Sequence, residues 1–174
     1  MKLPAIFFIL LAAPALATDL AGQASVVDGD TIEIRGARVR LFGIDAPESG
    51  QSYHDDDGEL YCCGQKAANE LSNFIGAKTV YCVQQATDRY GRTVAICTAG
   101  GVDVADWLVR GGLAFDWPQY SKGRYAAAQK EAERTGDGMW GGQWVVPWRY
   151  RECIRAGGKP AGCSESATPA IPER

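Results

Sequence analysis

The 174-residue chain has one histidine, two methionines and no excess of positive charge. Each shortage removes a class of function. Zinc centres take tetrahedral sets of Cys and His, commonly as close pairs. Here the only adjacent cysteines are Cys62-Cys63 and the only imidazole is His54. Lys and Arg number 18 against 21 Asp and Glu, a formal charge of -3, so the strongly basic surface of a simple nucleic-acid binder is missing. Beyond the N-terminus no apolar run is long enough for a membrane span, and no internal repeat is present. Any anion this protein handles is handled by a few placed cations.

What is present begins with an address. Met1-Lys2 gives a short positive start, Ala5 to Ala13 is apolar up to Pro14, and Ala15-Leu16-Ala17 offers small residues where signal peptidase reads. This pattern predicts a secretory signal over residues 1–17, cleaved near Ala17, and a secreted or periplasmic product. Loss of Lys2 makes that product one charge more acidic. Six cysteines in a small exported chain read as disulfides. Cys82 and Cys97 are the preferred pair, because both lie in β-like runs joined by a short turn-bearing stretch. Cys153–Cys163 would close a small loop, and the partner of Cys62 or Cys63 is left open.

Ala24–Val27, Thr31–Ile34 and Val39–Ile44 are β-rich runs separated by Asp28-Gly29-Asp30 and Arg35-Gly36-Ala37, which predicts a three-stranded meander. Asp45 to Cys63 is rich in Pro, Gly, Asp and Ser and is expected as a long surface excursion. Gln65–Ile75 carries Ala67, Leu71, Phe74 and Ile75 at helical spacing and stops at Gly76. Thr79–Val83 and Thr93–Cys97 are two further strands. Asp103 is expected to cap a short helix burying Val104, Trp107 and Leu108. Ser121 is expected to cap a third helix reaching about Arg134. Five strands in a 3+2 arrangement, with a helix between the third and fourth, indicate an α+β protein built on a small five-stranded OB barrel with about three packed helices. The domain is placed at 18–148, followed by a Cys-containing basic tail at 149–174 that includes Arg149, Arg151, Arg155 and Lys159. The usual meaning of such a cluster is a solvated surface, with contact to nucleic acid or the envelope as the alternative.

Two polar clusters carry chemistry. Asp30 and Asp45 each end a β-like run, so the meander can bring two carboxylates to one rim. Oxygen donors without His or Cys select Ca²⁺ or Mg²⁺ over zinc or copper. Arg40 alternates with Val39 and Leu41 and points away from those apolar neighbours. A guanidinium beside a divalent cation suits bidentate grip on a phosphate. Glu48 is placed to orient or deprotonate a water, and Arg92, in Asp88-Arg89-Tyr90-Gly91-Arg92, to stabilise charge in a transition state. Each piece alone has a plain reading as a hairpin turn or solvated strand edge. His54–Glu59 is not a calcium-binding EF-hand, since Tyr53 and Gly64 stand where acids are needed.

Val27–Thr31, Arg40–Glu48 and Asp88–Arg92, in this order and spacing, resemble the staphylococcal nuclease family, and weaker similarity extends over about residues 22 to 142. The resemblance implies an OB-fold, Ca²⁺-dependent phosphodiesterase acting on DNA and/or RNA and leaving 3′-phosphate ends. It implies Asp30, Asp45 and the Ala46 carbonyl as calcium ligands, Arg40 and Arg92 as phosphate-contacting arginines, and Glu48 as the residue that activates or positions water. Arg89 matches a basic position near a terminal phosphate. Trp117 and Tyr120 fall where the family places tyrosines near the nucleotide, and Trp117 offers a stacking face. The acidic balance departs from strongly binding members and implies weaker, less salt-driven affinity. The chain is expected to act as a monomer.

Two rivals are a non-catalytic OB module and an envelope protein tied to exopolysaccharide biosynthesis. A glycosidase would need two acids spanning a sugar cleft. Asp30 and Asp45 could serve as that pair, but Arg40 and Arg92 would then have no task.

Overall fold

The computed structural model describes residues 19–55 and 57–165. The expected leader over 1–17 and the chain after Glu165 lie outside the described residues. The meander forms as the alternation requires: β2 (Ala24–Asp28), β3 (Thr31–Ile34) and β4 (Ala37–Leu41) pair antiparallel in sequence. Ile32, Ile34, Val39 and Leu41 point into the core and are almost wholly buried. Period-2 alternation sends Arg40 to the opposite face.

The main sheet has seven strands, with β1 (Leu20–Gly22), β8 (Val80–Thr87), β9 (Thr93–Ala99) and β10 (Val102–Asp103) joining the meander. The order is β1-β8-β9-β4-β3-β2, with β10 on β9 and the β4–β9 pair parallel. Its end strands β1 and β2 are separated only by Gln23, so the sheet curls round on itself. The hydrogen-bonded ladder is mixed and does not close into a ring. Cys82 and Cys97 face each other directly across β8 and β9 and form a disulfide with S–S 2.04 Å.

Helix α1 (Cys63–Ile75) lays Ala67, Leu71 and Ile75 against this core. Full burial of Leu71 and Ile75 stabilises the fold by about 1.5–3 kcal/mol each. Helix α2 (Val104–Arg110) begins at Asp103, whose side chain accepts the N–H groups of Ala105 (3.0 Å) and Asp106 (3.2 Å), the expected cap. Val104 and Leu108 are buried, and half-buried Trp107 stacks on Phe74 at 4.2 Å.

Several expectations are corrected. Ser121 does not cap a helix: it ends the short α3 (Pro118–Ser121), and Lys122 and Gly123 at φ 56° and 82° break the chain before α4 (Ala126–Thr135). The stretch from Asp45 to Cys63 is not a surface excursion, because Gln51 and Tyr53 are fully buried within it. It contains the short strands β5 (Ile44–Asp45), β6 (Tyr53–His54) and β7 (Leu60–Tyr61); β5 pairs with β11 (Phe115–Asp116) and β6 with β7. The β5–β11 ladder joins partners distant in sequence, and strands of two residues are too short to show alternation.

Helices continue through the described residues after α4. A 3₁₀ turn (Gly138–Gly141) leads to α5 (Pro147–Arg155) and α6 (Pro160–Glu165), tied by a Cys153–Cys163 disulfide. Tyr53, Phe115, Met139 and Val146 form a second core with Trp140, Trp144 and Trp148 at its edge. Among the described residues Cys62 and Cys63 are free thiols. Cys63 is buried, donates to the Gln51 carbonyl at 3.0 Å, and burial pushes its thiol up to about 12.

Candidate active site

Four of the expected residues meet on one rim. Asp30 directly precedes β3, held there by its own N–H on the Asp28 carboxylate (3.1 Å) and by the Leu41 N–H on its carbonyl (2.8 Å). Register puts Thr31 opposite Arg40, and the Asp30 carboxylate, in the turn one residue earlier, meets the Arg40 side chain. After β4 the chain doubles back through Gly43, at φ 73°, where a Cβ would lie 2.8 Å from that of Ser121. That turn, and the pairing of β5 with β11, return Asp45 to Arg40. One guanidinium nitrogen, Arg40 Nη2, then bridges Asp30 Oδ2 at 2.7 Å and Asp45 Oδ1 at 3.0 Å.

Asp30 Oδ1 also accepts the Thr31 hydroxyl (3.0 Å), while the Ala46 N–H points at Oδ2 from 3.4 Å. Glu48 follows two residues later, its backbone locked to buried Gln51 by bonds in both directions, 3.2 Å to the side chain and 2.8 Å from the backbone N–H. The Glu48 carboxylate is 42% exposed, open to the rim.

A fifth residue was not expected there. Arg151, on α5, reaches into the cluster: Nη1 donates to Asp45 Oδ1 (3.0 Å) and Glu48 Oε1 (2.8 Å), and Nη2 to Asp45 Oδ2 (2.8 Å). Its neighbours Arg149, Arg155 and Lys159 are exposed, as a solvated cluster should be. Pro147 at the first helical position was a readable helix-start signal, but nothing local distinguishes Arg151 from the other three cations.

The remaining expected residues divide. Trp117 donates its backbone N–H to the Gly43 carbonyl (2.9 Å), and its ring lies 5.9 Å from the Arg151 guanidinium, with Tyr120 edge-on at 4.6 Å. Arg92 and Arg89 are not bonded to the cluster. They sit on the β8–β9 turn, where Arg92 Nε pairs with Asp88 Oδ2 at 2.7 Å and both guanidinium groups lie over Tyr90. Val94 is the register partner of Arg40, so strand alternation carried back to Arg92 puts both arginines on one sheet face.

Burial raises the Asp30 carboxyl to about 7, against the pull of Arg40 and with the push of Asp28 and Asp45. Burial raises Asp45 as well, opposed first by Arg151 and then by Arg40. A carboxyl whose folded value exceeds its unfolded one holds its proton more tightly when folded. Its contribution is therefore present at acid pH and is lost as pH rises through the folded value. Melting in EGTA is expected to show Tm falling between the ordinary 3.8 of Asp30 and about 7, with a shallower slope in Asp30→Asn. A Tm that rises across that window in both proteins contradicts the assignment.

The donor set suits a hard cation. Two buried carboxylates are close enough for one nitrogen to bridge them, and neither thiolate nor imidazole stands among them. Asp30 and Asp45 are its side-chain oxygen donors, and no group of three or more His, Cys, Asp or Glu that could hold a metal ion is formed among the described residues.

The family model described as staphylococcal nuclease homologue matches residues 38–142, well over half of the chain. The chain belongs to the staphylococcal nuclease family. Arg40, Asp45, Ala46, Glu48 and Arg92 lie inside the matched segment, whereas Asp30 and Arg151 lie outside it. Over 129 residues the chain is 46% identical to a succinoglycan biosynthesis protein, ExoI, of Rhizobium meliloti (strain 1021), covering 73% of this chain and 68% of that one. An uncharacterized endonuclease of Escherichia coli O157:H7 is 32% identical over 160 residues, 86% of this chain and 97% of its own. A micrococcal nuclease of Shigella flexneri is 30% identical over 164 residues, 84% of this chain and 88% of its own. The family and two of these three relatives carry the name of a nuclease or endonuclease. Among the described residues no helix is long and apolar enough to cross a membrane.

Proposed function

We propose that this protein is an exported, calcium-dependent nuclease that hydrolyses phosphodiester bonds of DNA and/or RNA. The observation that carries this reading is the pair of buried carboxylates, Asp30 and Asp45, bridged by one nitrogen of Arg40 with the Glu48 carboxylate open beside them. Asp30, Asp45 and the Ala46 carbonyl would hold calcium. Bound there, the ion would supply Lewis-acid contact to a phosphodiester oxygen.

The chain's own groups divide the remaining work. Glu48, half-exposed on a backbone pinned by Gln51, positions the attacking water or takes its proton. Arg40 grips a phosphate oxygen from the sheet face and Arg92 approaches from the β8–β9 turn on that same face; both stabilise charge that grows on phosphorus oxygens. Arg89 on that turn would contact a neighbouring phosphate. Trp117 and Tyr120 offer stacking faces to bases. The curled sheet goes with this reading as an OB-type scaffold, its five principal strands being β2, β3, β4, β8 and β9. Export is supported by the two disulfides, which persist in oxidising compartments.

Cleavage of single-stranded DNA and of RNA is the test, measured with Ca²⁺ and again with EGTA. Turnover that vanishes in EGTA and returns with added Ca²⁺ is the expected result. A folded, Ca²⁺-loaded protein that binds either polymer without cutting it would instead be a binding module on a nuclease fold. The likeness to ExoI favours a second reading, an envelope protein serving exopolysaccharide biosynthesis. Polysaccharide binding without Ca²⁺-dependent cleavage of nucleic acid would select it.

A further inference from the structure

Arg151 lies nine residues beyond the matched segment of the family, yet it makes more bonds to the site carboxylates than any residue within it. Its helix is no loose appendage. Val145, Val146 and Tyr150 are buried around the start of α5, and the Val145 carbonyl accepts both Gln51 Nε2 (2.6 Å) and the Tyr53 hydroxyl (2.9 Å). Gln51 is the same side chain that receives the Glu48 N–H. On the far side, the Ser52 N–H donates to Ser164 Oγ on α6 (3.1 Å), and Cys153–Cys163 ties α6 to α5. The segment carrying Glu48 and the C-terminal helical pair are therefore one hydrogen-bonded unit. Arg151 is its link to the buried carboxylate.

Resting on the nuclease reading above, we propose that Arg151 is a positioning residue whose guanidinium spans Asp45 and Glu48 and fixes the Glu48 carboxylate at a set offset from the site centre. The two shortest bonds serve that span, Nη2 to Asp45 Oδ2 and Nη1 to Glu48 Oε1, both 2.8 Å. The third, Nη1 to Asp45 Oδ1, is longer at 3.0 Å and shares its acceptor with Arg40. A cation that takes Oδ1 therefore competes with the longer bonds and leaves the span intact. A planar fork with donors on two nitrogens can bridge two carboxylates in this way, whereas a lysine ammonium is a point charge. Arg151 is also the only side-chain partner of the Glu48 carboxylate among the described residues. Without it, a half-exposed glutamate samples several rotamers and the water it holds loses its place. Misplacement of this kind, by about 1 Å, costs up to about 100-fold in rate.

The test uses the oxidised full chain as wild type, Arg151→Gln, Arg151→Lys, Glu48→Gln and the Glu48→Gln/Arg151→Gln double variant. Single-stranded DNA turnover is measured beside Ca²⁺ affinity by calorimetry without substrate, and melting in EGTA reports folding. The expected result has affinity and rate moving apart. Arg151→Gln binds Ca²⁺ as tightly as wild type or more so, because a positive charge has gone, while kcat falls about 10–100-fold with KM little changed. Arg151→Lys stays nearly as slow, and the double variant is no slower than Glu48→Gln alone.

Tighter Ca²⁺ binding with unchanged or faster turnover would make Arg151 a mere stand-in for the cation and overturn the proposal. Parallel loss of melting temperature, affinity and rate would reduce it to packing and overturn it as well. Wild type that never cleaves nucleic acid sinks the nuclease reading and the positioning role with it. Wild type that cleaves, with an undisturbed Arg151→Gln, sinks the positioning role alone.

Discussion

Glu48→Gln is expected to lower turnover of single-stranded DNA by about 10²–10⁴-fold, the range for a general base removed from its water, with the fold and Ca²⁺ affinity nearly intact. The expectation rests on what the substitution leaves alone. The Glu48 side chain is 42% exposed and fills no cavity, and its backbone is held by Gln51 through main-chain groups that glutamine keeps. An amide oxygen can still accept the Arg151 Nη1–H at the position Oε1 occupies, so the side chain stays where it was. What disappears is the negative charge and the proton acceptor. Steady-state kinetics beside a melting curve separate the two cases. Full turnover by a folded variant would remove Glu48 from the chemistry.

Gly64→Ala is expected to destabilise the fold strongly through a single added methyl group. Gly64 lies in the first turn of α1, where an added Cβ would sit 1.9 Å from the Glu48 carbonyl oxygen and 2.4 Å from its carbon. Both are backbone atoms, and neither can swing aside as a flexible side chain would. Either the helix start or the Glu48 segment must move, which places the cost at about 3 kcal/mol, the upper end of overpacking. For a chain of this length that is a fall in Tm of roughly 6–12 °C. Because the atoms displaced belong to Glu48, turnover should fall beyond what the loss of folded protein explains. Gly162→Ala is the control, since a Cβ there meets nothing within 4 Å. Equal melting temperatures for the two variants would refute the close approach.

Asp103 shows why some features were legible. Its capping role depends on N–H groups two and three residues away, so composition and spacing suffice. The meander from Ala24 is likewise local: alternation of Ile32, Ile34, Val39 and Leu41 sorts core from rim, and the sorting itself points Arg40 outward. The pairing of Cys82 with Cys97 follows from two adjacent strands and their turn. Ser121 failed as a cap because a left-handed Lys122 and Gly123 interrupt the chain, which the alanine-rich run after them conceals. Gln51 and Tyr53 sit in a polar, turn-rich stretch and are buried, with their polar atoms bonded to the Val145 carbonyl more than 90 residues away.

The site divides along the same line. Sequence alone determined the residue types and the order of the proposed catalytic set, Asp30, Arg40, Asp45, Glu48 and Arg92. Those residues lie on or next to strands and turns whose periodicity is local, and their motifs carry the family resemblance. Tertiary structure alone decided that the carboxylates share one bridging nitrogen, that Arg92 keeps its ion pair with Asp88, and that Arg151 joins Asp45 to Glu48. The contacts of Arg151 span 103 and 106 residues of chain. No pattern within a helix or hairpin encodes a contact at that range. It exists because the apolar residues around α5 and the disulfide to α6 find their burial beside the Glu48 segment, and the guanidinium arrives with them.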